Sequence, residues 1–307
     1  MKILEIPFAK KIWFWMVKHY PEFCCKLLYR KITGKKLNLK APQNLNEKIQ
    51  WLKFHEDQNL WAKLADKYAV REYIKERGLE HILVKLYGKY DTVDELFEAW
   101  DRLPQQFVLK SNNGCGTVKL ITNKNDVNKA LLKKELIKWL KQKDIGLGTI
   151  ELHYTKIKPC IIAEELLQDP SINTYSCGLI DYKIWCFNGN PFCCVAMYNR
   201  NLTTHNKPQF DLYNLDWTPN RSGVTHAESR NYKLILPKPK NWDKMLEYAH
   251  ILSMGHPQVR MDFYNINGNI YFGEMTFTAK GGYQDNYTDD FLMQMGRLVD
   301  LTITHNK

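Results

Sequence analysis

An arginine and two carboxylates stand in a pair of apolar segments near the end of the chain. Arg260 and Asp262 belong to the first segment and Glu274 to the second, and the Asn267-Gly268 dipeptide between them predicts a β-hairpin. Carboxylates among apolar strand residues are costly unless they are paired or bind a metal. Two hard oxygen ligands suit Mg²⁺. The pattern predicts a magnesium site, or alternatively an ion pair of Arg260 with Asp262 or Glu274 inside a sheet.

The pairing register of this hairpin decides whether the two carboxylates can share a metal. A strict two-residue turn would put Asp262 opposite Gly273 and would turn Glu274 to the other face of the sheet. A three-residue loop or a β-bulge would bring the two carboxylates onto one face. A shared metal site therefore requires one of these two departures from regular pairing.

A lysine at the end of an apolar strand forms the second group that could carry chemistry. Residues 107–110 predict a strand that ends in Lys110, and the polar, glycine-containing loop at 111–117 leads into another strand. Glycines let the backbone approach a phosphate, and the lysine supplies positive charge. The loop is neither a Walker A motif nor a dinucleotide-binding fingerprint. It predicts a phosphate contact, or alternatively a plain hairpin turn.

Two adjacent carboxylates, Glu164 and Glu165, stand near the end of the apolar segment at 160–167. One of them can point inward while the backbone beside it pairs with the edge of a nucleotide base. The alternative is a strand that simply emerges into solvent.

The elements around these groups predict an α+β chain, helical at first and then mixed with antiparallel strands. No internal repeat is present. Long loops are expected at 199–241, and a hairpin turn at 188–189. Helices are expected at 8–18, 21–32, after a cap at Asn46, at 59–77, after a capping box that begins at Thr92, and at 124–141, 242–253 and 289–301.

Composition limits the class of protein. The 307 residues are 44% apolar, and no stretch approaches the ~20 apolar residues that span a bilayer. The first residues lack the apolar core of a signal peptide, so a cytoplasmic location is expected. The eight cysteines include no CxxC pair and no zinc-finger spacing. They are expected to be buried, reduced thiols.

Positive charge is concentrated at one end of the chain. Residues 1–53 hold twelve Lys and Arg against three Glu, a net +9, so the remaining residues carry only +2 of the total +11. The same segment is rich in Trp, Phe and Tyr. Such a basic, aromatic segment fits peripheral contact with an anionic membrane surface or an acidic polymer. The alternative is a solvated basic face on helices that pack against the body of the protein, and no nucleic-acid partner is expected.

These pieces, taken in order, resemble the TupA-like ATP-grasp family, which is associated with bacterial surface polysaccharides and teichuronopeptide. The resemblance runs from Gly34 to Leu301. It implies the ATP-grasp fold, two α+β subdomains that grip ATP, preceded by an α-helical region; the expected segments are 1–102, 103–166 and 167–307. The motifs that carry it are GKKL at 34–37, LNEKIQWL at 45–52, ADKYAVR at 65–71, LP at 103–104, FVLK at 107–110, AEEL at 163–166, DYK at 181–183, FNG at 187–189 and GEMTF at 273–277.

The resemblance also implies a role for each matching site residue. One departure concerns Thr276, since many ATP-grasp enzymes have Asn at that place, although a hydroxyl can still bind Mg²⁺ or a phosphate. The implied roles are nucleotide contact for Lys67 and Lys110, a mobile phosphate-covering loop for Asn112, Asn113, Gly114, Gly116 and Thr117, an adenine hinge for Glu164, Glu165 and Leu166, a phosphate-side cation for Lys183, stabilisation of the developing charge for Arg260, and magnesium binding for Asp262, Glu274 and Thr276.

The function that the resemblance implies is that of an ATP- and Mg²⁺-dependent carboxylate–amine ligase acting through an acyl phosphate. Its expected setting is capsule or surface-polysaccharide biosynthesis, in the cytoplasm or at the inner face of the membrane. The expected partners are a small-molecule or glycan-linked carboxylate and an amine acceptor. Two alternatives stay open, a glycosyl or other group transferase of glycan assembly and a non-catalytic, basic polymer-binding module.

Overall fold

The computed structural model describes residues 7–114, 116–200, 208–225 and 234–305. Contacts divide the chain into two units, one formed by Met1–Trp15 with Gln58–Leu167 and the other by Met16–Asp57 with Gln168–Lys307. Each unit is built around one antiparallel sheet. The three segments expected from the sequence stay a prediction.

Three helices occupy the first part of the chain: α1 (Pro7–His19), α2 (Pro21–Thr33) and α3 (Leu45–His55). The structure confirms the two helices predicted before residue 33. Gly34 adopts a left-handed conformation and its N–H donates to the Arg30 carbonyl, which ends α2.

The predicted cap of α3 at Asn46 is wrong by two residues. Asn44 is the cap, because its side chain accepts from the Glu47 N–H while the Glu47 carboxylate accepts from the Asn44 N–H. This reciprocal pair is a capping box, which requires Glu three residues after the cap. Asn46 lies inside the helix, where its side chain donates to the Gln284 carbonyl.

The sheet of the first unit has the strand order β1-β4-β2-β3. Its strands are β1 (Leu86–Tyr90), β2 (Phe107–Ser111), β3 (Val118–Ile121) and β4 (Ile161–Glu164). Its helices are α4 (Gln58–Ala65), α5 (Val70–Glu76), α6 (Val93–Glu98) and α7 (Lys129–Lys141). Leu96 of α6 and Leu132 and Leu136 of α7 pack with Phe107 and Leu109 of β2 in one buried core.

The helix predicted at 59–77 is divided into α4 and α5. The Asp66 carboxylate accepts from the N–H groups of Tyr68 and Ala69 at 2.8 and 3.2 Å, so a turn replaces the helical hydrogen bonds there. The predicted helix at 124–141 is likewise shorter, because α7 starts only after its cap at Asn128. The break at residue 66 matters for the site, since it turns Lys67 out of helical geometry.

The sheet of the second unit has the strand order β7-β6-β5-β8-β9. Its strands are β5 (Asp181–Phe187), β6 (Asn190–Tyr198), β7 (Gln209–Asn214), β8 (Val259–Ile266) and β9 (Asn269–Thr276). Both predicted hairpins are confirmed, and the Asn-Gly pair at each turn has positive φ at both residues, as a type I′ turn requires.

The expectation of loops throughout 199–241 is wrong for the part that forms β7. This strand pairs with β6 from Tyr198 opposite Gln209 to Cys193 opposite Asn214. Leu212 and Tyr213 are buried at its centre, and pairing with β7 satisfies the open edge of β6. Residues 201–207 and 226–233 of the same region lie outside the described residues.

Two further helices complete the second unit, α8 (Trp242–Ser253) and α9 (Asp289–Leu298). Helix α8 packs against β5, β6 and β8, while α3 packs against α9. Gln50 and Lys53 of α3 donate to the carbonyls of Gly281 and Gly282 in the turn that follows β9.

Six of the seven cysteines in the described ranges are buried, and Cys177 is exposed. Burial raises the pKa of the Cys186 thiol to about 12, so this thiol stays protonated at neutral pH. Within the described ranges, no helix combines the length and the apolar composition that crossing a membrane requires.

Adjacent leucines on α7 give a matched test of the first core. Leu132 is 3% exposed and Leu131 is 62% exposed. We expect Leu132→Ala to lower the free energy of unfolding by about 2–5 kcal/mol, because it removes core contacts and leaves a cavity. Leu131→Ala should change it by less than about 0.5 kcal/mol. Urea unfolding of both variants checks this, and equal losses would show that Leu132 does not contribute to this core.

Candidate functional site

The first group of site residues centres on Glu164, the last residue of β4. Its carboxylate is buried and lies 2.7 Å from Lys110 Nζ through Oε2 and 3.2 Å from Arg71 Nη1 through Oε1. Arg71 also donates to the Val84 carbonyl at 2.9 Å. Burial lowers the pKa of Arg71, and the charge of Glu164 opposes that shift. Two cations thus face one carboxylate, and the cluster keeps one positive charge for an anionic ligand.

Lys67 and Asn112 fix the glycine-containing loop at its start. Lys67 Nζ donates to the Gly114 carbonyl at 2.8 Å, and the Lys67 N–H donates to the Asn112 carbonyl. The buried Asn112 side chain donates to Asp66 at 2.8 Å and accepts from the Cys160 N–H at 2.8 Å. Its amide group is therefore engaged within the protein, and it holds the loop in place.

The rest of the loop leaves one buried oxygen without a partner. Asn113 is buried and accepts from the Ser111 hydroxyl at 2.6 Å. A Cβ atom on Gly114 would collide with the Thr117 hydroxyl, and Gly116 has a left-handed φ of 78°. The Thr117 Oγ1 atom is buried and makes no hydrogen bond within the part of the chain that the structure describes. Such a group suits a ligand oxygen.

The segment after β4 separates the two adjacent glutamates. Glu164 is buried, whereas Glu165 is exposed and its N–H donates to the Lys85 carbonyl at 2.9 Å. Leu166 is half-buried. The carboxylate that points inward is thus Glu164, and the chain emerges into solvent at Glu165.

The second group forms a row across three strands of the other sheet. Lys183 of β5 lies opposite Asp262 of β8, and Asp262 lies opposite Glu274 of β9. Directly opposed residues point to the same face of a sheet, so these three side chains converge.

A β-bulge produces this register. The turn has two residues, but the pairing shifts after Asp262, so that Phe263 lies opposite Phe272 and Gly273 is the extra residue. A Cβ on Gly273 would lie 2.9 Å from the Asp262 carbonyl oxygen, so only glycine fits without a shift. The bulge, one of the two departures that a shared site required, is confirmed.

Asp262 is the most strongly engaged group of the row. It is 2% exposed, and its carboxylate accepts from Arg260 Nε and Nη2 at 2.7 Å each and from Lys183 Nζ at 2.6 Å. Desolvation lowers the pKa of Lys183, but the charges of Asp181 and Asp262 outweigh it and the net shift is upward. Desolvation likewise lowers the pKa of Arg260, but the charge and hydrogen bonds of Asp262, together with the charge of Glu274, outweigh it and the net shift is upward. Both cations therefore remain charged.

Glu274 is the more accessible carboxylate. Its side chain is 38% exposed, lies 3.5 Å from Arg260 Nη2, and accepts from the Thr276 hydroxyl at 3.2 Å. The ion pairs of Arg260 with Asp262 and with Glu274, expected as the alternative to a metal site, are thus both formed.

Protein oxygens at this site could supply only some of the ligands that a magnesium ion needs. Asp262, Glu274 and Thr276 offer hard oxygens on two neighbouring strands, as Mg²⁺ prefers. In the described ranges, no three acidic, histidine or cysteine side chains gather at a metal-sized site. The residues fit an ion held chiefly by Glu274, with Asp262 shared between the ion and its two cationic partners, and completed by water and phosphate oxygens.

Sequence reasoning missed several residues that support these groups. Asp181 is buried, with its carboxylate 3.6 Å from Lys183 Nζ and 3.6 Å from Arg200 Nη1. The charge of Asp181 is also the largest cause of the raised pKa of Tyr264. Alternation along β5 puts Asp181 and Lys183 on one face, a signal the sequence contained. No local pattern could have paired Arg71 with Glu164, which is 93 positions away.

Three solved structures, of two ligases and a synthetase, are similar to the chain at low sequence identity. A D-alanine–D-alanine ligase from Helicobacter pylori has 16% identity and a TM-score of 0.44, over 87% of this chain and 69% of that one. An N5-carboxyaminoimidazole ribonucleotide synthetase bound to ADP has 14% identity and a TM-score of 0.39, over 75% of this chain and 50% of that one. A phosphoribosylamine–glycine ligase from Thermotoga maritima has 13% identity and a TM-score of 0.39, over 73% and 50%.

The chain spans only half the length of the last two structures, and all three TM-scores are below 0.5. No curated protein matches the chain. The family model described as TupA-like ATPgrasp matches residues 47–299. This match covers all residues of both site groups and well over half of the chain, which therefore belongs to the TupA-like ATP-grasp family.

Proposed function

We propose that the protein is an ATP-dependent ligase that activates a carboxylate by phosphorylation and joins it to an amine. The observation that carries the proposal is the row of Lys183, Asp262 and Glu274 across three strands, with Arg260 bidentate on the buried Asp262. A sheet has no structural need for so many charges on one face, and burying them is costly. Membership of an ATP-grasp family supports a phosphoryl-transfer role for them.

The first group of residues would bind the nucleotide. Lys110 and Arg71 supply the net positive charge for phosphate oxygens, and the Thr117 hydroxyl offers a further donor. The backbone after Glu164 would face the base edge, the hinge role implied for Glu165 and Leu166. Lys67 would act through the loop, because its ammonium group holds the Gly114 carbonyl.

The second group would stabilise the group in transfer. A bound Mg²⁺ on Glu274 and Asp262 would neutralise phosphate oxygens and orient them. Arg260 and Lys183 are held by Asp262 and need little reorganisation to stabilise developing negative charge. A substrate carboxylate oxygen would attack the γ-phosphorus of ATP and release ADP. An amine would then attack the acyl carbon, losing a proton as inorganic phosphate leaves.

The setting proposed for this reaction is bacterial surface-polysaccharide or capsule biosynthesis. The family resemblance supports it, and a glycan-linked or small-molecule carboxylate with an amine acceptor fits the chemistry. A non-catalytic role is disfavoured because Arg260 contacts both Asp262 and Glu274, so the charged groups that the reaction needs are assembled. No contact in the described ranges favours glycosyl transfer.

Nucleotide binding can be tested without knowing the acceptor. We expect calorimetry to show Mg-ATP binding by the wild type, and Lys110→Ala and Glu274→Ala each to weaken it by about tenfold or more, because each removes a charged contact to phosphate or metal. Glu274→Ala should also reduce the difference between titrations with and without Mg²⁺. The exposed Lys119→Ala and Glu247→Ala serve as matched controls. A folded wild type that binds no ATP would contradict the proposal.

Carboxylate activation has its own readout. With Mg-ATP and hydroxylamine, a panel of amino acids, short peptides and uronic acids should include a carboxylate that yields a hydroxamate and ADP together. Arg260→Ala should reduce this rate by about 10²–10³-fold, because Arg260 would stabilise the transferring phosphoryl group. The Glu247→Ala control should retain the rate. ADP formation that no carboxylate stimulates would count against a ligase.

The pKa of Lys183 leads to a pH-dependent prediction. Asp181 and Asp262 raise this pKa above its ordinary value, so Lys183 stays charged at alkaline pH. We expect Asp181→Asn to lower that pKa, so Lys183 loses its charge, and Mg-ATP affinity falls, at a lower pH than in the wild type. Calorimetry from neutral to alkaline pH tests this, with the exposed Asp216→Asn as the control. An unchanged pH profile in Asp181→Asn would show that Asp181 does not keep Lys183 charged.

A further inference from the structure

Helix α1 carries large apolar side chains on its exposed face. Phe8, Ile12 and Trp15 follow one another at four- and three-residue spacing and are 74%, 45% and 56% exposed. On an ordinary surface helix these positions are polar. Val17, in contrast, is fully buried, so α1 has apolar residues on its inward side as well.

Helix α2 repeats this arrangement independently. Phe23 and Leu27, one turn apart, are 54% and 45% exposed. The opposite side of α2 is already packed, through residues that include Cys24, Leu28 and Tyr29. Because the inward face of α2 is already packed against the protein, the outward apolar face is not needed for folding. Such a face is suited to binding another surface.

Basic side chains flank both exposed faces. Lys11 and Lys18 are exposed on α1, and Lys26, Arg30 and Lys31 are exposed on α2. Glu22 is the sole acidic residue of the two helices, and Lys26 pairs with it at 3.3 Å. Aromatic and aliphatic residues among long basic side chains are typical of helices that lie in a membrane interface.

We propose that the exposed face of α1 and that of α2 each bind the surface of an anionic lipid bilayer. Each helix has 13 residues, about 20 Å at 1.5 Å per residue, which is too short to span and fits a position parallel to the membrane plane. Phe8, Ile12 and Trp15 would enter the boundary between headgroups and acyl chains, as would Phe23 and Leu27. The basic side chains would contact acidic headgroups.

Charge and apolar content favour a membrane over other occupants. A second copy of the chain would bring two basic surfaces together, and this repulsion opposes self-association. An acidic polymer would neutralise the charge but would offer no apolar phase to the exposed rings. An anionic bilayer satisfies both needs. The proposal does not depend on the ligase activity, because neither helix contains a residue of the candidate site.

Vesicle flotation with the full-length protein tests the proposal. We expect binding to vesicles of phosphatidylcholine with phosphatidylglycerol, weaker binding at high salt, and little binding to phosphatidylcholine alone. The pair Phe8→Gln with Trp15→Gln should weaken binding by about tenfold or more, as should Phe23→Gln with Leu27→Gln, because each removes two apolar anchors. Lys26→Gln and Arg30→Gln should each cost about fivefold.

Matched controls come from α7 of the first unit, where Leu131→Gln and Lys134→Gln alter an exposed apolar and an exposed basic residue. Both should bind vesicles like the wild type, and circular dichroism should show that all variants are folded. Wild type that does not float, or α1 and α2 variants that float equally well, would overturn the proposal. So would dimers in sedimentation that Phe8→Gln abolishes, or binding to hyaluronate without binding to vesicles. Mg-ATP titration of the same samples separates this outcome from failure of the ligase proposal.

Discussion

The second group of site residues depends on the ion pairs that the buried Asp262 carboxylate makes. A carboxylate that is 2% exposed requires partners, and it takes both Arg260 and Lys183. Removing one partner of a buried ion pair typically lowers the free energy of unfolding by about 3–5 kcal/mol, so each of the three residues depends on the other two. The same contacts hold two cations in fixed positions, which is what stabilising a transferring phosphoryl group requires. In the proposed ligase, stability and chemistry would therefore rely on the same hydrogen bonds.

In the first group, Glu164 has the role that Asp262 has in the second, with one difference. It is also a buried carboxylate with two cationic partners, Lys110 and Arg71, but its partners come from separate elements, β2 and α5. The turn at Asp66 makes this possible, because it ends α4 and directs Lys67 and Arg71 toward the strand ends. In both groups the carboxylate orients cations. The first group keeps one positive charge, which suits a phosphate. In the second group Lys183 and Arg260 face Asp181, Asp262 and Glu274, so a bound Mg²⁺ would have to supply the positive charge for a phosphate there.

The sequence predicted the elements better than their junctions. Apolar periodicity and Asn-Gly turns identified α8 and both hairpins, because those signals are local. The cap of α3, the break between α4 and α5 and strand β7 were misjudged, since each depends on side-chain hydrogen bonds or on an edge strand that needs a partner. For Asp262 and Glu274 the sequence left two alternatives, a magnesium site or an ion pair with Arg260. The structure forms the ion pairs, and the bulge at Gly273 puts both carboxylates on one face, so the magnesium site stays a prediction. The contact of Arg71 with Glu164 could not be predicted, because the two residues are 93 positions apart and no local pattern pairs them.

In the proposed ligase, Glu274 and Asp262 hold the metal of a nucleotide-dependent reaction. The most direct measurement is a crystal structure with a non-hydrolysable ATP analogue and Mn²⁺ in place of Mg²⁺, using anomalous scattering to locate the ion. This assignment predicts an anomalous peak at Glu274, with a phosphate oxygen and Asp262 in the coordination shell of the ion and Arg260 still paired with Asp262. An ordered nucleotide with no metal at Glu274, or a metal bound elsewhere with the Arg260–Glu274 pair intact, would contradict it.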